Sequence, residues 1–286
     1  MKDTNILLAG ATGYLGKYLL KELLDKKNQV IAIVRNPEKL QNSNEDYLEI
    51  KVAEVTKPET LRDICKGINT VISTVGITKQ KDGLTYMDVD YRANMNLLEE
   101  AKKSGVAQFV YVSAINGDKY RDLKIFEAKE KFVAALKSSG LNYTIVRPNG
   151  FFSDMADFLQ IAKSGRVFLF GSGNQKFNPI HGADLARAIV DILDDENKEL
   201  TIGGPDVLSL NDIAKLALTA LNKPIKIVHL PDWSRKLSIW CLRSFTSVKT
   251  YGPIEFFLTL MVEDNIAPTY GHKHLKDFYI EEAKSL

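Results

Sequence analysis

Gly10, Gly13 and Gly16, spaced three apart, stand between a short apolar run and a helical pattern. The run is Ile6-Leu7-Leu8-Ala9. The pattern starts at Tyr14, with Leu15, Leu19, Leu20, Leu23 and Leu24 at helical spacing. A strand that turns into a helix within a few residues needs glycine, which permits the tight turn and lets the backbone approach a ligand closely. This junction opens a βαβ run, and parallel strands joined by helices constrain everything that follows.

The alternation continues downstream. Runs rich in β-branched residues predict strands over 30–34, 47–55, 70–75, 109–112 and 143–146. Helices are predicted over 14–25, 61–65, 89–103 and 124–137. The implied fold class is α/β, a Rossmann-like doubly wound parallel sheet with right-handed crossovers. After about residue 150 the alternation stops, with turn signals at Pro148-Asn149-Gly150 and Gly171-Ser172-Gly173-Asn174. A helix over 184–193, N-capped by Asp184, is expected to rejoin the first domain. From Gly203-Gly204-Pro205 onward the chain reads as helical and basic. The expected organisation is a sheet domain over 1–150, rejoined by 178–202. A smaller, mostly helical C-terminal lobe spans 151–177 and 203–286, with a ligand cleft between the two.

Composition narrows the class. A chain of 286 residues, 45% apolar and 26% charged, is ordinary for a globular protein and excludes disorder, collagen and coiled coil. A net charge of +2 lacks the basic excess of a nucleic-acid binder. Cys65 and Cys241 fit no metal spacing and read as free thiols in a reducing compartment. His181 is alone, and His272 and His274 have no Cys or carboxylate companions, so no metal is expected. The apolar opening stops at Gly10, too short for an export signal. The longest apolar stretch, 254–262, falls well short of the roughly 20 residues that span a bilayer. These readings predict a soluble cytoplasmic protein, peripheral to a membrane at most.

The glycine loop carries the chemistry. A helix N-terminus behind it offers unpaired N–H groups and a positive dipole end, which suit the phosphates of a dinucleotide. The spacing is G-x-x-G-x-x-G over 10–16, including Thr12, Tyr14 and Leu15, and differs from the standard G-x-G-x-x-G. Roughly 20 residues on, a carboxylate at the end of the second strand would bind the ribose 2′-OH of NAD. Arg35 stands there, followed by Asn36 and Pro37. A guanidinium suits a 2′-phosphate, so NADP(H) is the expected cofactor and NAD the alternative. An ordinary solvated strand-end arginine is the structural alternative for Arg35.

With these motifs the chain resembles the short-chain dehydrogenase/reductase superfamily, in its atypical, NmrA-like and isoflavone-reductase-like NAD(P)-binding branch. The marks are the 10–16 loop, Val34-Arg35-Asn36-Pro37, Glu54-Val55-Thr56, Phe109-Val110-Tyr111-Val112-Ser113, the 139–148 run ending Val146-Arg147-Pro148, and Asp184-Leu185-Ala186. The resemblance covers about 5–200 well and the tail loosely. It implies that Val55 lies near the adenine, with Glu54 where the family usually has Asp. It also implies that Thr74, Val75 and Gly76 face the cofactor, and that Pro148, Asn149 and Phe151 lie against the nicotinamide.

The superfamily's catalytic set is Ser, Tyr and Lys. By resemblance the serine position is Ser113 and the lysine position Lys129, while the tyrosine position holds Ile125, which has no proton to give. Three readings follow. Lys129 is itself the acid or base, with a pKa depressed beside a cationic nicotinamide. Tyr120 swings in from the preceding loop as donor. Or Lys129 merely holds a ribose and no chemistry occurs. The expected activity is an NADPH-dependent reductase passing a hydride to a carbonyl or conjugated carbon of an apolar small molecule. The alternative is a non-catalytic NADP(H)-binding redox sensor, regulator or assembly factor.

Two apolar groups complete the reading. Phe151, Phe152, Met155, Phe158 and Leu159 form either a wall for a lipophilic substrate or plain core. Trp233, Leu237, Trp240, Cys241 and Val248 share one helical face, with Arg235, Lys236 and Arg243 largely off it. The 233–248 helix reads as a lid over the substrate cleft, or as a membrane-surface or partner helix. The sequence fixes no oligomeric state.

Overall fold

The computed structural model describes residues 5–40, 46–77, 83–193 and 195–286. Two compact units emerge from the chain. The first comprises 1–113, 117–147 and 185–200, and the second 114–116, 148–184 and 201–286.

The first unit is a sheet flanked by helices. Its elements are β1 (Asn5–Ala9), α1 (Tyr14–Asp25), β2 (Gln29–Val34), β3 (Leu48–Val52), β4 (Thr70–Ser73), α2 (Asn94–Lys103), β5 (Gln108–Val112), α3 (Lys124–Lys137) and β6 (Asn142–Pro148). The seventh strand of the sheet, β9 (Lys198–Ile202), follows α5 (Gly182–Asp191). Strand order is β3-β2-β1-β4-β5-β6-β9, and the pairings from β3 through β6 are parallel. This is the doubly wound order that reverses between β1 and β4, where such sheets bind ligands. Strands β1, β4 and β5 are almost wholly buried. That explains their unbroken runs of Ile, Leu and Val, since both faces of a central parallel strand are covered. α1 buries Leu15, Leu19, Leu20, Leu23 and Leu24 on one face.

Two local expectations need correction. The helix predicted over 61–65 is a 3₁₀ turn at Pro58–Leu61, because Pro58 starts the turn earlier. The helix predicted from 89 starts at Met87, and its first segment, Met87–Ala93, is a π-helix. Such wide turns are rare and cluster at functional sites.

The second unit contains α4 (Phe152–Ala162), α6 (Leu210–Ala220), α7 (Asp232–Phe245), α8 (Val248–Leu260) and α9 (Leu275–Ala283). It also contains strands the sequence reading missed. β7 (Val167–Phe170) pairs in parallel with β11 (Ile227–Leu230), and β8 (Lys176–Phe177) with β10 (Leu208–Ser209) antiparallel. These pairs are two to four residues long and join segments far apart in sequence, so periodicity does not reveal them. Phe152, Met155, Phe158 and Leu159 are buried in the core of this unit, with α6 and α9 residues. They are core rather than an exposed wall.

Buried asparagines tie this unit together. Asn149 Nδ2 donates to Asn178 Oδ1 at 2.7 Å and to the Asn265 carbonyl at 2.6 Å. Asn178 Oδ1 also accepts from Ala267 N, and Asn116 Nδ2 donates to Asn265 Oδ1. Asp184 is not a helix cap. It sits inside the first turn of α5, buried, and its Oδ2 accepts the backbone N–H groups of His272 and Lys273. His181 Nδ1 instead accepts from Ala183 N at 3.1 Å.

Candidate functional site

The site in the first unit lies where β1 and β4 end side by side. Gly10 has φ +86°, and a Cβ there would stand 2.3 Å from Thr74 Oγ1. Gly16 allows the first turn of α1 to settle onto the loop, since a Cβ there would fall 2.0 Å from the Gly10 carbonyl oxygen. Gly13 caps α1 in extended conformation, and its N–H donates to Gly10 O at 2.9 Å. Among the described residues no side chain caps this helix, and no acidic residue occupies its first turn. Thr74 Oγ1 donates to Ala9 O at 3.1 Å, fixing the loop to the end of β4. Thr12 and Tyr14 are at least partly exposed, whereas Leu15 is buried in the α1 core face. The loop thus has the glycine fit and the unopposed positive helix end that pyrophosphate needs.

Arg35 is exposed at the end of β2, and its charge helps hold the Glu54 carboxyl below its ordinary range. Hydrogen bonds from Lys57 and Thr56 are the larger causes of that shift. Glu54 thereby points its carboxylate at its own loop, with Lys57 at 2.7 Å. Val55 is half-buried against the core, and its carbonyl accepts from Asn96 Nδ2 at 3.0 Å.

The second half of the site centres on Lys129. Its ammonium is buried and lies 2.8 Å from Asp90 Oδ1. Asp90 comes from the π-helical segment and is fully buried. Its Oδ2 accepts the Ile77 N–H at 3.2 Å. Asn94 braces this arrangement, donating to the Val75 carbonyl at 3.1 Å and accepting from Ser73 Oγ. A Cβ on Gly76 would meet Asp90 Oδ1 at 2.7 Å and Lys129 Nζ at 2.9 Å, so the pair sits directly against that backbone. The Tyr111 ring centroid is 5.7 Å from the ammonium. Among the described residues neither its buried hydroxyl nor Asp90 Oδ1 meets a partner in good hydrogen-bond geometry.

These neighbours settle the charge of Lys129. Burial works against the ammonium, but the Asp90 carboxylate and the Tyr111 side chain together outweigh it and the lysine pKa is raised. Burial raises the Tyr111 phenol as well. The expected depression belongs to the state with a cationic nicotinamide beside the lysine; among the protein's own groups the direction is upward. Among these groups the ammonium form of Lys129 is favoured.

The other catalytic candidates go elsewhere. Ser113 Oγ donates to Glu130 Oε1 at 3.3 Å, and Glu130 is clamped by Arg147 through bonds of 2.6 and 3.0 Å. Adjacent residues point about 100° apart on a helix, so Lys129 and Glu130 serve different networks. Tyr120 is half-buried, stacked on Phe126 at 6.2 Å between centroids. The Lys119 ammonium lies 5.2 Å from the Tyr120 ring centroid. Ile125 is buried, one turn before Lys129 on α3. In the second unit, Pro148 and Asn149 are buried and Phe151 is half-buried. The Asn149 amide is engaged at both ends, since Gly150 N also donates to its Oδ1.

Asp90, Tyr111 and Asn94 escaped the sequence reading. A carboxylate at 90 within an apolar helical pattern was the available signal, since buried acids need a partner.

The residues fit a nicotinamide dinucleotide. Lys129, buried among groups with unmet hydrogen-bonding capacity and set against Gly76 after β4, suits the hydroxyls of a ribose.

Comparison with known proteins agrees. A family model described as NAD(P)H-binding matches residues 10–196. The maize chloroplastic divinyl chlorophyllide a 8-vinyl-reductase is 28% identical over 315 residues, covering 97% of this chain and 79% of that protein. The photosystem II assembly factor Ycf39 of Cyanophora paradoxa is 32% identical over 151 residues, 53% of this chain and 47% of that one. An isoflavone reductase crystal structure superposes with a TM-score of 0.74 at 17% identity, covering 98% of this chain and 100% of that one. The family match spans both the glycine loop and Lys129, and the fold is that of the isoflavone reductase. The chain therefore belongs to the NAD(P)H-binding family.

Proposed function

We propose that this protein is an NADPH-dependent reductase acting on a carbonyl or conjugated carbon of an apolar small molecule. The carrying observation is the buried Lys129–Asp90 pair at 2.8 Å, set against Gly76 at the end of β4. A buried ion pair is a weak source of stability, so its presence here calls for a functional reason. The 10–16 loop binds the pyrophosphate through backbone N–H groups. Arg35 pairs with a 2′-phosphate. Lys129, kept charged by Asp90, donates to the ribose hydroxyls and fixes the ring. The reduced nicotinamide supplies a hydride when bound. With Ile125 in the tyrosine position, α3 offers Lys129 as its proton carrier, a role that requires its raised pKa to fall when the cofactor is bound. The likeness to a vinyl reductase over 97% of this chain and 79% of that protein supports a conjugated acceptor.

A second reading is a non-catalytic NADP(H)-binding regulator or assembly factor. Ile125 favours it, as does the likeness to an assembly factor over half the chain. Calorimetric titration with NADPH and NADH, followed by NADPH consumption with vinyl, enone and quinone acceptors, separates the two. NADPH binding with turnover that Lys129→Ala abolishes supports the reductase. NADPH binding without turnover across the panel favours the regulator. Failure to bind either nucleotide overturns both.

A further inference from the structure

Helix α7 runs against the rule that apolar residues face inward. Its buried residue is Arg235, which pairs with Asp232 at 2.6 Å on the same helix. Trp233, Leu237 and Trp240, spaced i, i+4, i+7, form one stripe on the opposite side. Trp233 is 65% exposed and Trp240 61%. Phe245, at the helix end, is 80% exposed. Seven of the fourteen large apolar side chains exposed among the described residues fall within 225–254. Scattered exposed hydrophobes are ordinary, but such a concentration marks an interaction surface.

Charge identifies the partner. The same thirty residues carry five basic groups and one acidic group, +4 against +2 for the whole chain. Arg243 pairs with the buried Glu255. Lys226, Lys236 and Lys249 are exposed, and Lys236 flanks the tryptophan stripe, 3.7 Å from the Asp232 carboxylate that also pairs with Arg235. Tryptophan and lysine on one helix suit the boundary of an anionic bilayer, where indole rings enter the headgroup layer and ammonium groups meet lipid phosphates. Among the described residues no helix is long and apolar enough to cross a membrane. We infer that α7 is a docking face for an anionic lipid surface, lying in its plane.

The chain itself carries the probe. Its two tryptophans, Trp233 and Trp240, both lie on α7, so intrinsic tryptophan emission reports on this face. The full-length protein is mixed with phosphatidylcholine vesicles, with and without phosphatidylglycerol, and co-sedimentation is read in parallel. The expected result is a blue shift and sedimentation with the anionic vesicles, both weakened by salt. Lys236→Glu lowers the partition coefficient by roughly tenfold. Trp233→Ser also lowers it, while Trp240 still reports. No shift and no sedimentation with either vesicle overturns the inference. Equal binding to both vesicles overturns its anionic part. A lipid-independent shift that grows with protein concentration assigns the face to a second copy of the chain, and also overturns it.

Discussion

Helices α3 and α7 both violate amphipathic patterning, in opposite directions. α3 carries Lys129 and Glu130 into the interior, and each meets a partner from another element, Asp90 or Arg147. α7 buries Arg235 against its own Asp232 and leaves two tryptophans in water. Burying a charge costs several kcal/mol unless it is well paired. Leaving a large apolar side chain exposed forgoes about 1.5–3 kcal/mol. Neither arrangement is what packing alone selects. On α3 the violation is satisfied inside the unit, which is how a binding site is pre-organised. On α7 it is left unsatisfied, which is how a surface waits for a partner.

The comparison fails first at Asp90, if it fails. Asp90→Ala strands the Lys129 ammonium in the interior and is expected to lower stability by about 3–5 kcal/mol in urea unfolding. Adding Lys129→Met should recover more than half of the loss. A single variant as stable as the parent would mean that the buried pair does not form in solution.

Glu130→Gln weakens the Arg147 clamp and should cost about 2 kcal/mol. Ser113→Ala loses a single long hydrogen bond, about 1 kcal/mol or less, and should leave NADPH turnover nearly intact. A tenfold loss of turnover at normal stability would return Ser113 to the catalytic set.

Arg35→Ala tests the other end of the cofactor. Calorimetry should show NADPH affinity falling about ten- to a hundredfold while NADH affinity holds. Equal losses for both nucleotides would remove the 2′-phosphate role.

In the second unit, burial lowers the His181 pKa below its ordinary 6.5. The unfolded chain then takes up a proton that the folded chain refuses, so stability is full above pH 6.5 and falls as pH drops below it. A thermal melt series from pH 8 to 5 should show this slope, and His181→Asn should flatten it. The smallest effect belongs to α7, where Trp233→Ser should change stability by no more than about 0.5 kcal/mol. A large loss there would make the stripe a packing element after all.

Much of the first unit was legible in the chain. The strands at 6–9, 30–34, 70–75, 109–112 and 143–146 and the helices at 14–25 and 124–137 were read within a residue or two of their observed bounds. Buried parallel strands and one-sided helices write their environment into local periodicity. The pairs β7–β11 and β8–β10 did not show, because short strands from distant segments have no period of their own. Phe152, Met155, Phe158 and Leu159 were ambiguous for a related reason. An apolar side chain looks the same lining a pocket or filling a core, and α6 and α9 decided the matter.

The site divides along the same line. The glycine loop and Arg35 were visible because turn chemistry and strand ends are local properties, while Lys129 and Ile125 were singled out by the family resemblance. The partner of Lys129 was not. Asp90 is 39 positions away in sequence, and only the adjacency of the π-helical segment to α3 brings the carboxylate to the ammonium. That contact raises the lysine pKa among the protein's own groups. The sequence by itself determined the sheet and the glycine loop, since backbone preference and residue type suffice for these. Tertiary structure decided which buried charges neutralise one another and which tryptophans face water, since electrostatics and burial depend on neighbours from other parts of the chain.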